Sequence, residues 1–424
     1  MKVYEYGKES MEALYEALDK RSPEGRRDVE ETVSAILQDV RERGDEALIE
    51  YTARFDKVSL TADTLEVTRE EMEKALQSVE PELLKVIEKA AANIRAFHER
   101  QRENSWFMTR EDGTLLGQKV TPLSRVGVYA PAGTAPLPST VLMDVIPAKV
   151  AGVEEVILCS PPQKDGKLNP LVLACAKLAG IDRVFAVGGA QAIGAMAYGT
   201  KTLPRVDKIV GPGNIYVATA KKQVFGSCGI DMIAGPSEIL VIADESANPA
   251  YVAADLLSQA EHDKLSSAIL VTPSKDLAVK VQAEVDEQLS RLERNEIAAY
   301  SLENYGAIIL TSDLEEAVML SNAIAPEHLE VCTRDPFALL PSIKNAGAIF
   351  LGHYSPESLG DYFAGPNHTL PTTGTARFFS PLGVYDFVKR QSVISYSPGA
   401  FAEAAPYVAA FADAEGLSAH AQAV

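Results

Sequence analysis

RVGVYA (125–130), EVILCS (155–160), RVFAVG (183–188) and EILVIAD (238–244) are the segments whose reading decides the fold. Each is a short β-branched run, apolar throughout, without the alternation of a strand that has one wet face. The series continues in SAILVTP (267–273), AIILTS (307–312), HLEVCT (328–333) and GAIFLG (347–352). Amphipathic helical stretches at 139–151, 169–179, 274–294 and 335–346 separate most of them. Strands apolar on both faces that alternate with helices form parallel sheets covered on both sides. The class predicted is α/β.

Outside this series the pattern changes. Residues 27–103 read as mostly helical, with Val33, Ile36, Leu37 and Val40 on one apolar face and a break at Gly44. A second charged helix is expected from about Thr68 to Arg102, with Pro81 near a helix start and His98 on a solvated face. Past residue 380 the chain reads as a linker or hairpin and then a small Ala-rich helix. That tail has too little apolar mass for its own core, so it must dock on something, such as a partner chain.

The 424 residues suggest two to three domains, and 46% apolar with 23% charged residues is ordinary for a globular protein. A net charge of −19 repels phosphate backbones, and no local basic patch offsets it, so nucleic acid is not an expected partner. Cys159, Cys175, Cys228 and Cys332 have no zinc-finger or CxxC spacing and read as free buried thiols. The first 25 residues lack the apolar core of a signal peptide, and no run approaches the ~20 apolar residues of a membrane span. A cytoplasmic, reduced protein is expected.

Neither a GxGxxG fingerprint nor a P-loop is present. Four Gly-rich turns stand in their place: Pro131–Pro136, Gly188–Gln191, Gly211–Asn214 and Gly235–Glu238. Three of them precede a helix start, where exposed N–H groups suit a pyrophosphate or a carboxylate. Gln259 and His262 lie at i, i+3 near the end of a helix capped by Asn248 and Pro249, an arrangement that can supply half of a metal site or a simple helix-end hydrogen bond. Glu327 and His328 place an acid beside a base, although neighbours on a strand point to opposite faces. The segment 355–368 follows a strand at its carboxyl end, where α/β sheets place ligands, and offers Asp361, His353 and His368 without ranking them. Glu415 and His420 sit near the C-terminus.

Taken together, GVYAPAGTAPLPSTVLMDVIPA, VGGAQAIGAMAYGT, VDKIVGPGNIYV, DMIAGPSEILVIAD, LLSQAEH, APEHLE, SPESLGDY and AEGLSAH resemble the histidinol dehydrogenase family, in the same order from about residue 25 to the end. One departure is Ala132, where the family commonly has Gly. The resemblance implies oxidation of L-histidinol to L-histidine through histidinaldehyde, the last step of histidine biosynthesis, with two NAD consumed and one zinc ion per subunit. It assigns zinc to Gln259, His262, Asp361 and His420, and acid–base work to Glu327 and His328. Substrate contacts fall to Ser237, Glu415, His328 and the four zinc ligands, and NAD contacts to Tyr129, Gln191 and Asn214. It also implies a homodimer whose C-terminal tail completes the partner's site. The corresponding fold has two Rossmann-like parallel-sheet domains with terminal extensions used in dimerisation. The expected division is 1–25 as N-terminal extension, 26–120 with 237–380 as a discontinuous domain bearing most metal and catalytic residues, 121–236 as an inserted NAD-binding domain, and 381–424 as the dimerisation tail. The alternatives are a related zinc/NAD dehydrogenase acting on another amino alcohol or a sulfonated diol, a metallohydrolase, and a catalytically silent nucleotide-binding module.

Overall fold

The structure, a computed structural model, describes residues 1–7, 11–21, 26–132 and 137–424. The strands in chain order begin with β1 (Lys2–Glu5), β2 (Glu66–Val67), β3 (Trp106–Thr109), β4 (Leu115–Pro122) and β5 (Arg125–Tyr129). They continue as β6 (Glu155–Ser160), β7 (Arg183–Ala186), β8 (Lys208–Val210), β9 (Gly229–Ile230) and β10 (Glu238–Ala243). The last are β11 (Ser267–Thr272), β12 (Ala307–Leu310), β13 (His328–Cys332), β14 (Ala348–Leu351) and β15 (Val388–Ser395). All eight apolar runs form strands.

Two six-stranded sheets carry the fold, in the orders β2-β7-β6-β5-β8-β9 and β1-β12-β11-β10-β13-β14. Counted from β5, the first contains the order 3-2-1-4-5 of a dinucleotide-binding half, all parallel; counted from β10, the second repeats it. Crossover helices make this possible, and their ends are written locally. Asn169 and Asn248 accept from the first N–H groups of the helices Pro170–Ala179 and Pro249–Ala260, each with Pro at its first position. The third sheet is antiparallel, in the order β15-β4-β3.

The packing corrects the expected grouping of residues 26–120 with 237–380. Val29, Val33, Ile36, Leu37, Val40 and Ile94 share one core with Val126, Val128, Ile157 and Val184, so the N-terminal helices cover the first sheet. Leu382, Val384 and Phe387 belong to that same core. The first residues are not a separate extension either, because β1 pairs in parallel with β12 and Leu14 enters the second sheet's core. The stretch 335–346 forms only the short helix Pro336–Leu339 and one 3-10 turn. Gly44 does break the first helix. The stretch from Thr68 onward is two helices, Arg69–Ser78 and Pro81–Glu99, separated at Val79 and Glu80.

His98 is also corrected, since it is fully buried rather than solvated. Its Nδ1 pairs with Gln101 Oε1 at 2.8 Å, while its Nε2 is buried without a partner. Burial holds its pKa below the ordinary histidine value. Below pH about 6.5 the unfolded chain therefore binds a proton that the native chain refuses, and native stability is lost as pH falls. Between pH 7 and 5 the unfolding free energy of the wild type should fall more steeply than that of His98→Gln, by up to about 1.4 kcal/mol per pH unit. Urea titrations across that range check this, and equal slopes would refute it.

Candidate active site

The amino edge of the second sheet is where its ladder runs out. Ile239 is in register with His328, which leaves the peptide groups of Glu238 at the open end of the β10–β13 pair. Two side chains occupy that end. The Glu238 N–H donates to Glu327 Oε2 at 2.8 Å, and the Glu238 carbonyl accepts from His328 Nδ1 at 2.9 Å. A carbonyl can only accept, so this bond places the proton on Nδ1 and leaves Nε2 as the basic nitrogen. Nε2 is buried and has no hydrogen-bond partner. Glu327 precedes the strand, which frees its side chain from strand alternation; its carboxylate lies 3.6 Å from the His328 ring. Arg21 holds Glu238 in turn, through a buried ion pair and a 3.0 Å bond to the Leu265 carbonyl.

Asp361 reaches the same edge by an indirect route. The helix Glu357–Tyr362 follows β14 but runs back along β13, with the Glu357 N–H on Glu330 at 2.7 Å and Asp361 Oδ1 3.8 Å from His328 Nε2. The site in this half therefore lies at the amino edge of the sheet, not at the expected carboxyl end. His368 donates from Nδ1 to the Asp361 carbonyl at 3.0 Å. His353 lies elsewhere, against Ser246. Burial would lower the His328 pKa, but the carboxylates of Glu327, Asp361 and Glu357 outweigh it and push it up to about 10. Burial raises Glu327 to about 8, and despite burial the charges of His328 and His368 hold Asp361 well below the usual carboxylate range.

The helix Pro249–Ala260 supplies Gln259, which is buried with an unpartnered Oε1, and leads to His262, which faces the charges of Asp361 and His328. One residue earlier, Ser258 donates to Glu357 Oε2 at 3.0 Å. Among the histidines, cysteines and acids of the described residues, His328, Glu357 and Asp361 bring ligand atoms within 4.8 Å of one another. Only Asp361 is common to that cluster and the expected zinc set. His420 and Glu415 are exposed at the C-terminus, and a single chain does not bring them to this group. Ser237 directly precedes β10, half-buried beside it.

The other expected residues meet at the carboxyl edge of the first sheet. Tyr129 ends β5, Gln191 opens the helix Gly189–Tyr198, and Asn214 caps the helix Ile215–Val224. All three line one cavity of about 940 Å³, together with Glu261, His262 and Tyr362 from the second half. The carboxyl edge of one sheet thus faces the amino edge of the other across a shared space. Tyr129 Oη accepts from the Gly189 N–H at 3.1 Å, and Gln191 Oε1 is buried without a partner. Gly211 has φ +109°, and a Cβ there would stand 2.2 Å from the Tyr129 carbonyl, which is why this turn requires glycine. Lys221 and Asp231, a buried ion pair, hold the Gly211 carbonyl and N–H at 2.8 Å each. Ala132 lines the cavity, whereas Gly133–Pro136 of the first Gly-rich turn lie outside the described residues. The four cysteines are free and buried, and Cys332, four residues after His328, stands at the opposite, carboxyl end of β13.

Sequence reasoning missed Arg21, Glu238 and Glu357. Arg21 and Glu238 are 217 positions apart, and no motif links them. Glu357 stands inside the quoted SPESLGDY segment, and its spacing of four from Asp361 on one helix face was the available signal.

The family model described as histidinol dehydrogenase matches residues 19–424. Histidinol dehydrogenase of Aquifex aeolicus is 59% identical over 409 residues, covering 96% of this chain and 95% of that protein. The Bacillus subtilis protein of the same name is 58% identical over 412 residues, covering 97% and 95%. The crystal structure of histidinol dehydrogenase from Elizabethkingia anophelis superimposes with a TM-score of 0.94 at 40% identity, covering 100% of this chain and 96% of that one. An acetylating aldehyde dehydrogenase from Geobacillus thermoglucosidasius shares the fold alone, with a TM-score of 0.50 at 14% identity over 87% of this chain and 97% of that one.

Arg21→Met should leave the Glu238 carboxylate buried and unpaired, at a cost of about 3–5 kcal/mol in urea unfolding. Arg21→Met with Glu238→Gln removes both charges and should recover most of that loss. A double variant no more stable than the single would disprove the pairing.

Proposed function

The chain belongs to the histidinol dehydrogenase family and oxidises histidinol in histidine biosynthesis; from that premise we propose that it carries L-histidinol through L-histidinaldehyde to L-histidine in two NAD-dependent steps at a zinc centre. The observation that carries the proposal is a coincidence of orphan atoms. Gln259 Oε1 and Gln191 Oε1 are buried without partners, and they belong to residues the resemblance assigns to zinc and to NAD. A buried polar atom left unpaired costs about 1–3 kcal/mol, and a bound group would repay it. The donor set also fits: amide, imidazole and carboxylate without thiolate leave zinc strongly Lewis acidic, with room for substrate nitrogens.

In this reading Gln259, His262 and Asp361 hold the metal together with His420 of the partner subunit. When bound, zinc supplies an anchor for the imidazole and amine of the substrate, and NAD supplies the acceptor for both hydrides. Beside a cation held among these carboxylates, His328 and Glu327 would have lower pKa values, and both would be free to accept a proton. His328 then takes the hydroxyl proton at Nε2 as the first hydride leaves, which gives the aldehyde. Glu327 then withdraws a proton from water as it adds to the aldehyde carbon, and the resulting diol loses the second hydride and yields the acid. Ser237 and Glu415 complete the substrate contacts, and Tyr129, Gln191 and Asn214 orient the cofactor. The buried thiols support neither a thiohemiacetal route nor an oxidising compartment, and we place the enzyme in the cytoplasm. Among the described residues no helix is long and apolar enough to cross a membrane.

The same reading includes a homodimer, which the exposed apolar surface of the C-terminal tail supports. The helix Pro398–Ala414 buries only Ala400 and Ala412 and leaves Phe401, Tyr407 and Phe411 exposed. Another amino alcohol or a sulfonated diol is not favoured as substrate, since the family model and the Aquifex aeolicus, Bacillus subtilis and Elizabethkingia anophelis relatives all carry the name histidinol dehydrogenase.

With histidinol and NAD, two NADH should form per histidine; one per histidinol, ending at the aldehyde, would reject the two-step reading. Glu327→Gln should keep much of the first oxidation and lose the second by about 10²–10⁴-fold, whereas His328→Asn should cripple both. A Glu327→Gln enzyme that makes histidine at the wild-type rate would overturn the assignment. Dialysis against a chelator should abolish turnover, and added zinc should restore it; full activity in metal-free protein would exclude the metal's role.

A further inference from the structure

In the dinucleotide-binding fold, the carboxylate that receives the adenosine ribose stands at the end of the second strand of its unit. Here that strand is β6, and it ends Ser160-Pro161-Pro162-Gln163-Lys164, with no acid. Pro161 and Pro162 nevertheless line the cavity that holds Tyr129, Gln191 and Asn214. Asp56, from the N-terminal helical layer, lines the same cavity. It follows the helix Asp45–Phe55, and its own N–H is satisfied by the Thr52 carbonyl. Its side chain is not satisfied: Oδ2 is buried without a partner. Burial alone pushes its pKa up to about 6, with no cation to offset it. The carboxylate is close enough for its charge to act on the Tyr129 phenol. The preceding residue, Phe55, presents a half-exposed ring to the cavity, stacked on Tyr51 at 5.6 Å and 7°. An aromatic face beside a carboxylate lacking donors is the chemistry that receives a nucleoside with free hydroxyls.

We propose that Asp56 selects NAD over NADP, accepting hydrogen bonds from the 2′-hydroxyl of the adenosine ribose and repelling a 2′-phosphate. The acid has been supplied by the covering helices rather than by the sheet. This rests on the reading that NAD occupies the cavity, and the experiment separates the two.

Asp56→Asn keeps the size of the side chain, and Asp56→Ala removes it; kcat/KM is measured for NAD, NADP and 2′-deoxy-NAD at saturating histidinol. The wild type should prefer NAD to NADP and to 2′-deoxy-NAD by about tenfold or more. In both variants the two preferences should shrink by about tenfold, through the KM of the nucleotide, with the KM of histidinol unchanged. Ratios that stay at the wild-type value, or a wild type indifferent to the 2′ substituent, overturn the role of Asp56. NADH binding followed by fluorescence tests the underlying reading. If Gln191→Ala and Asn214→Ala leave the NADH affinity unchanged, the cavity does not hold the cofactor, and the inference falls with that reading. If they weaken it while the Asp56 variants keep wild-type ratios, the inference alone falls.

Discussion

The Glu238 peptide is the constraint on which this site depends. Its N–H and its carbonyl sit where the β10–β13 ladder ends, and in most sheets water would complete them. Here Glu327 and His328 complete them instead, at 2.8 and 2.9 Å. The backbone of one residue therefore fixes the carboxylate and the imidazole relative to each other and selects the tautomer with a basic Nε2. The arrangement needs Glu238 itself to be immobile, and the buried Arg21 pair supplies that. A buried ion pair is a poor source of net stability but a firm positioning device, because displacing either partner strands a charge. The acid–base pair thus inherits the rigidity of the sheet and of the N-terminal segment together.

The two repeated 3-2-1-4-5 halves use opposite ends of their sheets. In the first half, residues after β5, β7 and β8 line the shared cavity at the carboxyl edge, the end at which strand order 3-2-1-4-5 opens a crevice. The second half turns its amino edge toward that cavity, and the helix Glu357–Tyr362 carries Asp361 back to it. Two carboxyl edges would each present helix N-termini, which favour anions. An amino edge lined by Asp361, Glu327, Glu357 and Gln259 favours a cation, so opposing unlike edges puts a negative environment next to an anion-binding one. Behind it, burial raises the pKa of both Asp255 and Glu330, and the Asp255 charge pushes Glu330 further in the same direction.

The alternation of apolar strands and helices was legible because periodicity reports burial, and burial is what parallel sheets impose. Only the family resemblance singles out Asp361 from His353 and His368, whereas Gln259 with His262, and Glu327 with His328, were legible as short polar pairs. The amino-edge location was not, since the return of the helix after β14 is set by the Glu330–Glu357 bond between distant segments. The N-terminal helices show an apolar face in the sequence, but nothing local says which sheet that face will cover. Adjacent Glu327 and His328 can act together because β13 begins at His328, which leaves Glu327 before the strand and outside its alternation. β3, β4 and β15 lack the apolar signature of the other strands because β3 and β15 are largely exposed and β4 is only half-buried.

Polar atoms buried without partners ordinarily mark error or strain, and a fold tolerates few. In this protein Gln191 Oε1 and Asp56 Oδ2 belong to side chains lining the cavity between the two sheets, and Gln259 Oε1 and His328 Nε2 belong to the group around His262 and Asp361 beside it. Each desolvation penalty is met at folding rather than at binding, and the folded chain is less stable for it. In exchange, acceptors already stripped of water need little reorganisation when a donor or a cation arrives, so the binding energy goes into holding the bound group. The same argument explains why the His328 ring is anchored from behind by the Glu238 carbonyl: an unsatisfied nitrogen that could rotate would find a neighbour, and the advantage would be lost.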